Sequence, residues 1–309
     1  MRHAAVLFRT LVPAILLGAS VVAASPRDAL VVSNAWLAAH LADPDLVILH
    51  VGHATAKADF EKAHIPGAQL IEVGTLAKRM DHSAMKPGDL TLEMPAPEEL
   101  RKQLTALGIS DRSRIVVYYA DDLFTHATRV VQTLNYAGLG AQSMLLENSL
   151  RKWVSEGRPT AVTSAPPKPG SLSPLKIQPV IVDAAFVRAQ LRTPGYVIVD
   201  ARDGVFYDGT RAGSGKNGHI AGAVSLPYST LADDESTLKP ADQLAAIFAK
   251  AGIKAGDKLI AYCHIGQQAT GVVFAARTLG FDVVLYDGSM EDWSRQKDAP
   301  IEVVKKGGN

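Results

Sequence analysis

Among the 309 residues there is one cysteine, Cys263. One thiol cannot form an internal disulfide, so it is a buried inert group, half of an intermolecular bridge, or a reactive centre. An excess of charge is missing too: 32 Lys and Arg stand against 31 Asp and Glu, a formal net charge of +1. That balance gives no support to a broad basic surface for nucleic acid. No apolar run reaches the roughly 20 residues needed to span a bilayer as a helix. The nearest, Leu11 to Val22, follows Arg2 and Arg9 and ends in Ala23-Ala24. This is the pattern of a secretory signal with a small-residue cleavage end, and no cysteine stands beside it to be lipidated. Residues 1–24 are expected to be a signal peptide. The mature chain is then exported, to the periplasm, and free of the membrane once cleaved.

What is present is a globular composition, 47% hydrophobic and 20% charged, written twice. His64-Ile65-Pro66-Gly67-Ala68 matches His219-Ile220-Ala221-Gly222-Ala223 at an offset of 155 residues, and Trp153 matches Trp293 at an offset of 140. A shrinking offset in constant order means a duplicated domain with different loop lengths. Between the copies, Pro159, Pro166, Pro167, Pro169, Pro174 and Pro179 remove amide donors and oppose regular structure. The expected division is a first domain over 25–158, a Pro-rich, semi-extended linker over 159–179, and a second domain over 180–309.

Each copy carries the same pattern. Runs such as "DLVILH", "YVIVD", "RIVVYY", "KLIAYC", "SMLLE" and "DVVLYD" read as buried strands. Between them, "PEELRKQLTALGI", "ADQLAAIFAKAGI", "ATRVVQTLNYAG" and "ATGVVFAARTLG" are apolar at helical spacing and close on glycine. Alternating strands and helices predict an α/β fold in each copy, a mostly parallel sheet with helices on both faces.

Cys263 ends the strand "KLIAY", and "CHIGQQ" leads into a helix starting near Ala269 or Thr270. The carboxyl ends of strands in open α/β sheets are where ligands bind. A short loop turning at Gly266 into a helix start aims its amides inward, which favours a thiolate at the centre and lowers a cysteine pKa. The first copy is an internal control: Tyr119 stands where Cys263 does, in a loop two residues longer. The scaffold kept its form without the thiol, which points to a chemical rather than a packing role for Cys263.

With these residues in view the chain resembles the tandem rhodanese sulfurtransferases, which act on thiosulfate or 3-mercaptopyruvate. The resemblance rests on "HIPGA", "DAR", "HIAGA", "YDGS" followed by Trp293, and the Cys-x-x-Gly loop opening a helix. It implies two rhodanese-like domains, the first non-catalytic and the second catalytic. It also implies a relay in which Cys263 takes a sulfane sulfur from a small anionic donor, as a persulfide, and passes it to cyanide or a thiol. No metal or organic cofactor is implied. Thiosulfate is the favoured donor and 3-mercaptopyruvate the second. The loop residues His264, Ile265, Gly266, Gln267, Gln268 and Ala269 would cradle the substrate, and Arg202 of "DAR" would help hold the anion. The alternative is a non-catalytic exported sulfur carrier or binding module with a persulfidable thiol. A monomer is expected.

The chain departs from the family at a second arginine: Phe206 stands there, in "VFYDG", and Arg211 or Lys216 is left as a substitute. His264 is the one titratable group in the loop, and its protonation near pH 6 would favour the doubly charged thiosulfate. Three other constellations carry less. His50, His53 and His64 match no zinc spacing. "GTRAGSGKNG" lacks the Gly-Lys-Ser/Thr ending of a phosphate loop and reads as a flexible loop near the active-site mouth. A cysteine phosphatase needs arginine six residues after the thiol, where this chain has Ala269.

Overall fold

The computed structural model describes residues 25–53, 55–78, 88–120, 124–164, 166–213 and 215–304, so the expected signal peptide lies outside the described residues. In the first half run β1 (Val31–Val32), β2 (Leu46–Val51), β3 (Ala68–Ile71), β4 (Arg114–Tyr119) and β5 (Ser143–Leu146). They form one sheet in the order β1-β5-β4-β2-β3, every pair parallel. The second half adds β6 (Ile181–Val182), β7 (Tyr196–Asp200), β8 (His219–Ile220), β9 (Val224–Ser225), β10 (Lys258–Tyr262), β11 (Asp282–Tyr286) and β12 (Ile301–Glu302). Its main sheet, β6-β11-β10-β7-β9, repeats the first in order and direction. β8 and β12 make a separate antiparallel pair. The α/β expectation holds in both halves.

The register supports the alignment of the copies. His50 on β2 pairs with Tyr118, and Asp200 on β7 pairs with Tyr262, so the next residues, Tyr119 and Cys263, are structural equivalents. Helices Phe124–Leu134 and Ala269–Thr278 are also equivalent, and they pack on each other between the two sheets. Thr128 Oγ1 and Thr270 Oγ1 meet there at 2.9 Å. One apolar core runs through this contact, joining Leu49, Val117 and Val130 to Val199, Leu259 and Val272. Each sheet's other face has its own core, built on Trp153 in one domain and Trp293 in the other, both fully buried. The repeated tryptophan is therefore the outer anchor of each copy. Its indole N–H is satisfied by the Pro159 carbonyl at 2.8 Å in the first and by the Pro300 carbonyl at 3.2 Å in the second.

The proline-rich stretch lies along the first domain. Ala161 bridges His64, and the Gly170 N–H donates to Thr105 O at 2.8 Å. Leu172 is buried in the core. Glycine is required at 170 because a Cβ there would sit 2.1 Å from the Ile109 carbonyl oxygen.

Candidate active site

Cys263 directly follows β10, the middle strand of the second sheet, at its carboxyl end. Its N–H donates to Ser289 Oγ at 3.0 Å, and Ser289 donates onward to Tyr286 O at 2.9 Å. The Cys263 carbonyl accepts from Met290 N at 3.1 Å and the His264 carbonyl from Glu291 N at 3.0 Å. The helix Ser289–Trp293 thus holds the thiol-bearing backbone from one side. The cysteine has no exposed surface, so a donor reaches it only by local opening.

Beyond the thiol the chain turns at Gly266, with φ +79°, where a Cβ would lie 2.4 Å from the Asp287 carbonyl oxygen. Glycine meets both the positive φ and the close approach. Among the described residues, the backbone N–H groups of Ile265, Gly266, Gln267 and Gln268 donate to no protein acceptor. They precede the N-terminus of a ten-residue helix, Ala269–Thr278. Unpaired amides together with a helix N-terminus favour negative charge. Ile265 packs on the shared core and Ala269 is fully buried. Gln267 turns to the first domain, its Nε2 3.2 Å from His126 Nε2 and 3.3 Å from Nδ1. The buried Gln268 Oε1 has no partner among the described residues.

Sequence reading missed the residue that holds this loop from across the domain boundary. Arg129, on the first domain's helix Phe124–Leu134, is buried, and its Nη1 donates to Gly266 O at 2.9 Å. The same guanidinium pairs with Asp287 and donates to the Leu92 carbonyl. Asp287 also accepts from Met94 N at 3.0 Å. The available signal was a single arginine inside the otherwise apolar pattern "ATRVVQTL", at the position where the second copy has Gly271.

Arg202 is buried, 1% exposed. Its Nε and Nη2 engage the Asp200 carboxylate at 2.6–3.2 Å, and Nη2 also donates to Gly218 O at 2.7 Å. Tyr262 OH donates to the same carboxylate at 2.7 Å. Burial alone would lower the Arg202 pKa, but the bonds and charge of Asp200 outweigh it and the group stays cationic. Removing one member of a buried pair strands the other, at a cost of about 3–5 kcal/mol. Asp200→Asn is therefore expected to lower stability by that order in urea unfolding. The double change Asp200→His with Arg202→Gly copies the first domain's His50 and Gly52, and is expected to cost less than the sum of its single changes.

His264 does not carry the charge expected of it. Burial, followed by the neighbouring Arg202, lowers its pKa to about 4, so it is neutral at pH 6. Its ring meets Phe206 edge-on at 4.6 Å, and a Cβ on Gly213 would fall 2.4 Å from its Cε1. The glycine-rich loop therefore does reach the site, pressed on His264. Its Lys216 N–H is bonded to Ser294 Oγ at 2.9 Å. Arg211 lies over the Phe206 ring at 5.3 Å. Among the described residues no group of three His, Cys, Asp or Glu side chains is placed to hold a metal ion.

Buried His50 behaves like His264, its pKa lowered to about 4 by burial and then by nearby His64. The unfolded chain protonates these imidazoles near 6.5, while the folded chain keeps them neutral down to about 4. Stability is thus full above pH 6.5 and falls as pH drops towards 4, by an amount on the order of 3 kcal/mol from His50 alone. Urea midpoints at pH 7 and pH 4.5 measure the loss, and His50→Gln is expected to reduce the difference.

Two duplicated parallel α/β domains, with one thiol at the end of a central strand beside a loop whose amides meet no acceptor among the described residues, define a tandem α/β protein with a single sulfur centre. A model of the rhodanese-like domain matches residues 33–156 and again 183–296. The chain belongs to the rhodanese family of sulfurtransferases. It is 30% identical to the 3-mercaptopyruvate sulfurtransferase of Escherichia coli strain K12, with 87% of this chain and 96% of that protein aligned. It is 29% identical to the mitochondrial thiosulfate/3-mercaptopyruvate sulfurtransferase 1 of Arabidopsis thaliana, over 89% of this chain and 78% of that one. A crystal structure of the Escherichia coli 3-mercaptopyruvate sulfotransferase matches with a TM-score of 0.73 at 26% identity, covering 84% of this chain and 97% of that chain.

Proposed function

We propose that the protein moves a sulfane sulfur from thiosulfate to cyanide or a thiol through a persulfide on Cys263. The observation that carries this reading is the set of four loop amides, Ile265 to Gln268, that meet no acceptor among the described residues, ahead of the helix that follows the thiol. The Cys263 thiolate attacks the outer sulfur of thiosulfate, the S–S bond breaks, and sulfite leaves with the bonding electrons. Cyanide carbon then attacks the outer persulfide sulfur, so thiocyanate departs and the thiolate returns. The amides hold the negative charge at each stage.

In this reading Arg202 is a buried charge near the thiol rather than a direct ligand of the donor, because Asp200 and Gly218 occupy its Nε and Nη2. Arg211, stacked on Phe206, serves as the second cation for the donor. The neutral His264 removes the expected advantage for a dianion at pH 6 and favours a second reading, with 3-mercaptopyruvate as donor. Comparing kcat/KM for the two donors, in the wild type and in Arg211→Ala, decides between them. The thiosulfate reading expects the larger value for thiosulfate and a selective loss in the variant. A preference for 3-mercaptopyruvate across pH 5.5–8 reverses the order. The apolar segment behind Arg2 and Arg9 supports export to the periplasm. Cell fractionation tests that.

A further inference from the structure

Cys263 belongs to the second domain, yet the helix that holds its backbone is gripped by the first. Glu291, on the helix Ser289–Trp293, has a side chain only 15% exposed. Its two carboxylate oxygens each take a donor from Thr91 of the first domain, the backbone N–H at 3.0 Å and Oγ1 at 3.0 Å. Arg295 donates to the same carboxylate at 3.0 Å and to the Asp89 carbonyl at 2.9 Å. Further along the same stretch, the Met94 N–H donates to Asp287 at 3.0 Å. Carboxylates on both sides of Ser289 thus capture residues 89–94 of the first domain. Hydrogen bonds to charged acceptors are about twice as strong as neutral ones.

The backbone of Glu291 reaches the thiol loop. Its N–H donates to the His264 carbonyl at 3.0 Å, next to the Met290 N–H on the Cys263 carbonyl at 3.1 Å. Among the described residues no peptide bond is cis, so each carbonyl points opposite to the N–H of the following residue. Holding His264 O at the helix therefore turns the Ile265 N–H away from that helix. Arg129, by holding Gly266 O, sets the Gln267 N–H in the same way. Two of the loop amides are thus aimed by contacts on their neighbouring carbonyls, and both contacts trace back to the first domain.

We propose that Glu291 is a positioning residue for sulfur transfer: with its side chain on Thr91 and its amide on His264 O, it lets the domain contact set the direction of the loop amides. This rests on the persulfide reading above. Glu291 acts through the loop and not on the donor. Misdirected amides stabilise the developing negative charge less, so its loss lowers kcat and kcat/KM together and leaves KM nearly unchanged. Glutamine at 291 keeps an oxygen for the Thr91 N–H but gives up the charge that Thr91 and Arg295 share.

The test applies hydrogen–deuterium exchange mass spectrometry and thiocyanate formation from thiosulfate and cyanide to the full-length wild type, Glu291→Ala, Glu291→Gln and Thr91→Val. Glu291→Ala is expected to speed exchange several-fold in peptides covering 89–94 and also in those covering 289–293, whose Met290 and Glu291 amides hold the loop. Its kcat should fall by about tenfold or more at nearly constant KM, with Glu291→Gln intermediate in both readouts. Thr91→Val removes one bond from the first-domain side. It should show the same pattern to a smaller degree, and it serves if Glu291→Ala does not fold. Faster exchange confined to 89–94 would leave Glu291 as a staple between domains and overturns the proposal. So does an unchanged kcat in a folded Glu291→Ala protein, or a loss carried entirely by KM. A wild type that forms no thiocyanate fails the transfer reading instead, and exchange at 289–293 then still decides whether Glu291 orders the loop.

Discussion

Cys263→Ser is expected to lose turnover by at least about 10⁴-fold, the scale seen when a catalytic nucleophile is removed. Serine cannot form a persulfide, and its hydroxyl is far less acidic than a thiol. The fold should survive at some cost. The position is fully buried in the core shared by the domains, and burying a hydroxyl without a partner costs about 1–3 kcal/mol. Thiocyanate formation at saturating thiosulfate and cyanide measures the first effect, and urea unfolding the second. A folded variant that keeps a substantial fraction of turnover would remove the thiol from the mechanism.

The second large effect is expected at a residue of the domain that has no thiol. Arg129→Ala removes the bond to Gly266 O and leaves Asp287 without its buried cation. Breaking such a pair costs about 3–5 kcal/mol. The loop amides also lose their restraint, and a misplacement of about 1 Å lowers kcat/KM on the order of 100-fold. Arg129→Lys separates the two effects. It keeps a charge for Asp287 but not the fork that reaches Gly266 and Leu92 together. Stability should recover in part while kcat stays low. Unchanged kcat in a folded Arg129→Ala protein would mean the loop holds its own shape.

The periodic parts of this chain were readable because strands and helices announce themselves locally, and the duplication gave each reading twice. "YVIVD" and "DLVILH" became equivalent central strands, and Tyr119 against Cys263 was a real structural equivalence. The same locality explains the misses. Arg129 meets Gly266 137 residues further along, across a domain boundary that no periodicity describes. The charge state of His264 depends on its burial and on Arg202, neither visible in "CHIGQQ". "DAR" put Asp200 two residues from Arg202, yet Arg202 was assigned to the substrate anion. Only the strand end showed that Asp200 occupies most of the guanidinium fork.

The central claim is a sulfur carried on Cys263, and intact-protein mass spectrometry after incubation with thiosulfate and removal of excess donor tests it most directly. A gain of about 32 Da, one sulfur as a persulfide, is expected on the wild type. It should be discharged by cyanide and absent from Cys263→Ser. A wild-type mass that stays unchanged with thiosulfate and with 3-mercaptopyruvate alike would contradict the relay.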